Sequence, residues 1–294
     1  EKTMKDYQGF KNNGNWYKGN LHSHTTVSDG KMTPEQSVEV YKEHGYNFLA
    51  LSEHDIYTDY RKQYNTDNFI MIPAIEASAI LYQEEGSSKR LEIHHLHGIL
   101  GTSEMQKNAK APLFTHMEHV PPQKHYGTWR GREISQEIAD MLRDRGCVVT
   151  YNHPIWSRVT EEEFIYTEGV QALEIFNYNT VLESNTGYDV TYWDRMLRMG
   201  KKINGFASDD NHNEGNYYSS AGPVIKDWGI KDGKAWISCS PVNHINFVAG
   251  NIINDGVMVL GKACEDSLTY GEYEVKGHEA YIRVEVTDKY GRTA

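Results

Sequence analysis

Residues 69–78, FIMIPAIEAS, are an apolar run that closes on a carboxylate, Glu76. Residues 47–55, NFLALSEHD, are built the same way, apolar first and then His54 and Asp55. Helical patterns lie between such runs. TPEQSVEVYKEHG (33–45) has Thr33 placed as an N-cap, Pro34 at the first helical position, Gln36 to complete a capping box and Gly45 as a stop. EISQEIADMLRDRG (133–146) is a second helix, closed by Gly146 and followed by the strand CVVTYNHP (147–154). QALEIFNYN (171–179), the helix within YWDRMLRMGKK (192–202) and INGFASDDNH (203–212) repeat the unit. Short apolar strands alternating with helices predict an α/β fold with a parallel sheet covered by helices. Near-continuous apolarity means both strand faces are buried, as in a barrel or a doubly wound sheet. After about residue 215 the helical pattern stops, and AWISCSPVNHINFVAG, GVMVLGKA, YGEYEVKG and AYIRVEVTDKYG read as strands. The expectation is an α/β domain over 1–214 and a small, sandwich-like all-β domain over 215–294.

Composition narrows the classes. The chain has 294 residues, 38% hydrophobic and 24% charged, which predicts a soluble globular protein with a sizeable core. No run approaches the ~18 apolar residues of a membrane span. No charged-then-apolar leader opens the sequence, so the expected location is cytoplasmic. The formal charge of −11 argues against nucleic acid as a partner, because phosphate neutralisation needs clustered Lys and Arg. The partner expected is a small molecule, with neither membrane nor nucleic acid involved and oligomeric state left open. Cys147, Cys239 and Cys264 form no CxxC pair and read as small buried hydrophobes.

The polar residues gather at one end of the strands. NLHSHTTVSDG (20–30) puts His22, His24 and Asp29 just after an apolar-aromatic lead-in. His54 and Glu76 end the next two runs, EIHHLHG (92–98) offers His94, His95 and His97, His153 ends a strand, and Asp210 with His212 ends another. In a parallel α/β barrel the C-terminal strand ends converge on one face. Imidazoles and carboxylates crowded there are costly unless cations lie between them. Each piece alone has a bland reading. HxH is common on polar strands, Glu76 could be a buried ion pair, His153 could cap a turn before Pro154, and SDDNH could be a solvated loop. Their placement at the same end of successive strands favours metal. On a strand His95 and His97 share a face while His94 points away, so His97 is a second candidate and His94 a packing residue. Asp55 is expected to orient a ligand rather than to be one.

LHSHTTVSDG, LSEHD, IPAIEAS, HLHG, NHP and ASDDNH, in this order over residues 15–213, resemble the motifs of the PHP (polymerase and histidinol phosphatase) superfamily of metallohydrolases. The lead-in WYKGNLHSHT and the tail stretches SSAGPVI and YIRVEVTDKYGRTA resemble its carbaryl hydrolase-like branch. The resemblance implies a distorted (β/α)7 barrel and a hydrolytic site of two or three divalent transition metals, Zn, Mn or Fe. It implies one metal on His22, His24, Glu76 and Asp210, and a second that shares Glu76 and adds His95 and His153. A third would take Asp29, His54 and His212. The family histidine precedes a glycine by three, which favours His95. A carboxylate is the group able to bridge two cations ~3.5–4 Å apart. Glu76, Asp29, His54 and His212 are therefore expected to carry the chemistry. The chain departs from the branch between DDNHN and GNYYSSAGP, where the branch has a longer strand-and-helix segment.

Residues 108–132, NAKAPLFTHMEHVPPQKHYGTWRGR, read as a long loop, of the kind that forms lids and binding loops. Lys124, Trp129, Arg130 and Arg132, with Arg158 beyond the His153 strand, are candidates to grip an anionic or aromatic substrate, although each alone reads more simply as solvated surface. The expected activity is hydrolysis of a small, anionic phosphate ester through a metal-activated hydroxide, a histidine or aspartate protonating the leaving group. One alternative is an amide or carbamate hydrolase on the same centre. Another is a non-catalytic carbohydrate- or protein-binding module with a structural metal, which is disfavoured because structural sites are closed, four-coordinate and single.

Overall fold

The computed structural model describes residues 5–10, 14–215, 222–250, 252–253 and 255–294. The chain divides into two compact units, one of Tyr17–Met196 and Lys202–Ser219, the other of Glu1–Trp16, Leu197–Lys201 and Ser220–Ala294. The opening residues of the SSAGPVI stretch, 219–221, lie outside the described residues, as do 216–218 of the junction before it.

The larger unit is mixed α/β. Its main sheet has six strands in the order Asn204–Ser208, Ala172–Asn177, Cys147–Tyr151, Arg90–Leu100, Ala74–Tyr82 and Gln123–Tyr126. The first three are parallel, as are the last two. Arg90–Leu100 runs antiparallel to both of its neighbours, so the expected all-parallel sheet is instead mixed. The cause is local. Only residues 83–89 join Tyr82 to Arg90, and a parallel crossover needs a dozen or more; the chain turns back as a hairpin. A second sheet, of Gly19–Asn20, Phe48–Leu49 and Ile70–Met71, is parallel. Among the described residues no continuous ladder closes these sheets into a barrel. Isolated parallel bridges, Ser23 to Asn211 and His54 to Glu76, join them where the histidines lie.

The helices form where local chemistry places them. The helix Pro34–Glu43 has its capping box: the Gln36 N–H donates to Thr33 Oγ1 at 3.2 Å and the Thr33 N–H donates to Gln36 Oε1 at 2.9 Å. It stops before Gly45, whose φ is 75°. The helix Gly131–Asp144 buries Ile134, Ile138, Ala139 and Leu142, one face at helical spacing, against Arg90–Leu100 and Cys147–Tyr151. Burying a leucine such as Leu142 contributes ~2 kcal/mol. Gly98 permits the approach, since a Cβ there would lie 2.6 Å from Leu142 Cδ2. Residues 108–132 are not all loop: Glu118–His119 pairs with Ile56–Tyr57, and Gln123–Tyr126 is the edge strand of the main sheet.

The smaller unit holds two antiparallel sheets. One is Tyr7–Gln8, Ile225–Lys231, Lys234–Val242 and Leu268–Glu274; the other is Gly256–Leu260, His244–Ala249 and Ile282–Thr287. Strand alternation delivers Ile237, Cys239 and Val242 of the first and Ile245, Phe247 and Val286 of the second to one core. Cys147 and Cys239 are buried and free as expected, whereas Cys264 is exposed. Among the described residues no helix is long and apolar enough to cross a membrane.

Candidate metal centre

Glu76, fully buried on Ala74–Tyr82, is the point on which the other donors converge. Its Oε1 lies 3.1 Å from His22 Nε2, 3.4 Å from His95 Nδ1 and 3.3 Å from His153 Nε2. Its Oε2 lies 3.4 Å from His24 Nε2 and 3.0 Å from His54 Nδ1. Asp210 is a second focus: its Oδ1 is 3.1 Å from Nε2 of both His22 and His24 and 3.5 Å from His212 Nδ1. At the more open side, Asp29 Oδ1 is 3.3 Å from His212 Nε2 and Asp29 Oδ2 is 3.6 Å from His54 Nε2. The ligands that the resemblance implies, His22, His24, Asp29, His54, Glu76, His95, His153, Asp210 and His212, therefore lie in one cluster.

Glu76 Oε1 is hydrogen-bonded, by Asn152 Nδ2 at 2.8 Å and His153 Nε2 at 3.3 Å, but most of the other approaches are not hydrogen bonds. His22 Nε2, both ring nitrogens of His24, His54 Nδ1, Glu76 Oε2, His95 Nδ1 and Asp210 Oδ1 are buried without a hydrogen-bond partner. Buried polar atoms are nearly always paired, and a cation supplies the partner for lone pairs that otherwise face one another. Among the described residues, four groups of donors are close enough to hold a metal ion: His24, Asp29, His54 and His212; His22, His24 and Glu76; His54, Glu76 and His95; His22, His153 and Glu174. His22, His24 and His54 each belong to two of these groups, a sharing that the division implied by the resemblance did not contain. Mixed nitrogen and oxygen donors suit Zn, Mn or Fe.

Charge is matched across the cluster. Burial works against the ionised Glu76, but His22, His95 and His153 outweigh it and hold the carboxyl well below the usual range. Asp210 is likewise held low against its burial by His22, His212 and His24. Burial works against a charged His22, yet Asp210, Glu76 and Glu174 raise it well above the ordinary imidazole value. His212 is carried up to about 9, against burial, by Asp210 and Asp29.

The backbone bends to aim these groups. Asp55, His153 and Asp210 have φ of 58°, 27° and 48°, a region uncommon for residues other than glycine that costs ~1–3 kcal/mol and clusters at functional sites. The Asp55 N–H donates to the Glu76 carbonyl and its Oδ1 accepts from the Ser78 N–H, both at 2.8 Å. Asp55 thus fastens the His54 segment to the Glu76 strand, and burial raises its carboxyl to about 6. His94 lies away from the cluster, 2.5 Å from the Tyr151 hydroxyl and stacked on Trp129. His97 packs against His22 with ring centroids 4.2 Å apart, and neither of its nitrogens has a hydrogen-bond partner. Of the residues expected to grip substrate, Trp129 donates to Glu163 and Arg132 covers the Tyr166 ring.

Four residues escaped the sequence reading. Glu174, fully buried, accepts from His22 Nδ1 at 2.9 Å. Asn177 donates Nδ2–H to Asp210 Oδ2 at 3.0 Å. Glu53 accepts from the Thr25 N–H at 3.0 Å and from the Thr25 and Ser28 hydroxyls at 2.5 Å, which shapes the loop between His24 and Asp29. Trp156 sets its ring 5.0 Å from His153 and 5.9 Å from His95. A signal existed for two of them: Glu53 in LSEH and Glu174 in LEIF are charges inside apolar runs.

No protein-family model matches the chain, and no curated protein matches it significantly. Among solved structures it is similar to a Bifidobacterium adolescentis protein named provisionally as a metal-dependent phosphoesterase, at 14% identity over 68% of this chain and 90% of that one, with a TM-score of 0.41. It is similar to a two-domain Bacteroides vulgatus protein described as containing a predicted PHP-like metal-dependent phosphoesterase, at 11% identity over 98% and 94%, TM-score 0.42. A Chromobacterium violaceum amidohydrolase, solved with bound sulfate and no metal, matches at 12% identity over 67% and 88%, TM-score 0.42. At such identities and TM-scores a neighbour's name transfers no activity, and the chemistry of the centre rests on its own donors.

Proposed function

We propose that the chain is a metal-dependent hydrolase of the PHP type, acting on small, anionic phosphate esters with two or three divalent transition metals. Glu76 carries this reading: a fully buried carboxylate whose oxygens face five imidazoles at 3.0–3.4 Å. Left unpaired, it would cost several kcal/mol. A structural metal site is closed and single, whereas a carboxylate shared in this way fits two cations a few ångströms apart. By this reading Glu76 would serve two cations, His22, His24 and Asp210 would help to hold one, His95 and His153 another, and Asp29, His54 and His212 a third. Bound cations supply Lewis-acid stabilisation and a nucleophile at neutral pH.

The protein's own groups do the rest. Side-chain exposure rises from none at Glu76 to 21% at His212, 25% at His54 and 57% at Asp29, so a small-molecule substrate meets the centre from that side. In a two-cation form the Asp29–His212 pair is free to hold the proton that a leaving oxygen needs. An amide or carbamate hydrolase on the same donors is the second reading. The half-buried Trp156 favours it, because a flat apolar wall beside His95 and His153 suits a substrate with an apolar group.

Elemental analysis, followed by a screen of phosphomonoesters, phosphodiesters and carbamates on protein of measured metal content, separates these readings. Glu76→Gln keeps the shape and removes the charge. It should lose metal at two sites and turnover by at least ~100-fold, while His54→Ala should lose chiefly one metal. A Glu76→Gln protein with full metal content and near-normal rates would sink the proposal.

A further inference from the structure

We infer that Glu174 is a positioning residue of this centre: it pins the His22 proton on Nδ1, so that Nε2 offers its lone pair to a cation between Glu76 and Asp210. The inference rests on the metal-dependent function proposed above. Glu174 is fully buried on the strand Ala172–Asn177. Its Oε1 accepts from His22 Nδ1 at 2.9 Å and from the Ser208 hydroxyl. Its Oε2 accepts from the His153 backbone N–H at 3.1 Å and from Asn177 Nδ2 at 3.0 Å.

An ionised carboxylate has about four acceptor sites, and these four donors use them. Glu174 shares a potential metal group with His22 and His153, but no lone pair remains on it for a cation; its action is on the ligands. Because the carboxylate can only accept, His22 Nδ1 must carry hydrogen. The opposite nitrogen, Nε2, is then the one that stands without a hydrogen-bond partner, 3.1 Å from both Glu76 Oε1 and Asp210 Oδ1. The frame reaches two further candidates. His153 is held through its backbone, which supports its φ of 27°. Asp210 is held through Asn177, whose amide nitrogen donates to Glu174 and to Asp210, each at 3.0 Å. A carboxylate behind a ligating imidazole fixes its tautomer and raises its basicity. In Glu174→Gln one end of the side chain becomes a donor and faces donors. His22 is then free to move its proton to Nε2, where the cation would sit.

The test measures affinity for zinc and for manganese by chelator competition on the full chain, with circular dichroism to verify folding. Glu174→Gln should weaken the tightest site by about 10- to 100-fold, with occupancy restored by excess metal. In a His22→Ala background the same substitution should have an effect several-fold smaller, because it acts largely through that imidazole. A purely structural role would give equal effects in both backgrounds, and that result, or unchanged affinity in Glu174→Gln, overturns the inference alone. Wild-type protein that binds neither metal overturns the metal-dependent reading and this inference with it. A second measurement needs no variant: imidazole nitrogen NMR of the zinc-loaded wild type should find His22 protonated at Nδ1 and metal-bound through Nε2. Metal on Nδ1 overturns the inference.

Discussion

Asp189 illustrates, at the scale of one residue, how a buried carboxylate behaves when its acceptors are not filled as those of Glu174 are. It is 0% exposed, its Oδ1 accepts from the Ile155 N–H at 3.0 Å, and its Oδ2 has no hydrogen-bond partner. Burial pushes its carboxyl up to about 7, with Glu174 adding to the rise and the Ile155 N–H and His153 opposing it. A folded-state value above the ordinary 3.8 means that its contribution is fully present below about pH 4. That contribution is lost as pH rises through about 7. Asp189→Asn keeps the bond from Ile155 and removes the titration. The variant should therefore gain on the wild type by on the order of 4 kcal/mol between about pH 4 and pH 8. Urea midpoints of both proteins across that window check it; a constant difference between them would contradict it. The residue types of the centre were legible because His and carboxylates at strand ends are visible in a string of letters. The proton positions were not, because they depend on partners such as Glu174 that stand far away in sequence.

The loop from His24 to Asp29 is the element on which the open side of the centre depends. Gly30 closes it by donating its N–H to the Thr25 carbonyl at 2.8 Å. A Cβ on Gly30 would lie 2.3 Å from the His24 carbonyl oxygen and 2.7 Å from the Thr25 nitrogen. Both are backbone atoms, so the loop itself must move. Gly30→Ala should cost ~1–3 kcal/mol and displace Asp29 from His212 and His54, with loss of metal from that group ahead of the others. Thermal melting with elemental analysis tests this, and wild-type values for both would refute it. Elements were read with unequal success for a physical reason. The helix Pro34–Glu43 is announced by its own cap, stop and apolar face within one short window. Of Arg90–Leu100 only the shared face of His95 and His97 was legible, not its length or direction, because the histidines inside it break the apolar pattern that marks a buried strand. Only the pairing with Ala74–Tyr82 shows why histidines belong there.

For the whole molecule, the proposed metal centre predicts a stability that depends on cations. Buried donors that lack hydrogen-bond partners favour any ion that binds the folded chain and not the unfolded one. Zinc or manganese at about 100 times its dissociation constant should stabilise by ~2.7 kcal/mol per site, a rise of several degrees in Tm. Calcium, which prefers sets of oxygen ligands, should give little. Melting the stripped protein with each ion in turn is the measurement. A Tm unmoved by zinc, manganese or iron would mean that protons alone satisfy the cluster.

Helix caps and the histidines and carboxylates at strand ends were readable in the sequence, since each is written in neighbours a few positions apart. The mixed direction of the main sheet, the convergence of five imidazoles on Glu76 and the roles of Glu174, Asn177 and Trp156 were decided by tertiary structure. Glu174 and His22 stand 152 residues apart, and the bond between them follows from strand order and register. Those are set by packing of the whole α/β unit, for which no local pattern in the chain is a sufficient cause.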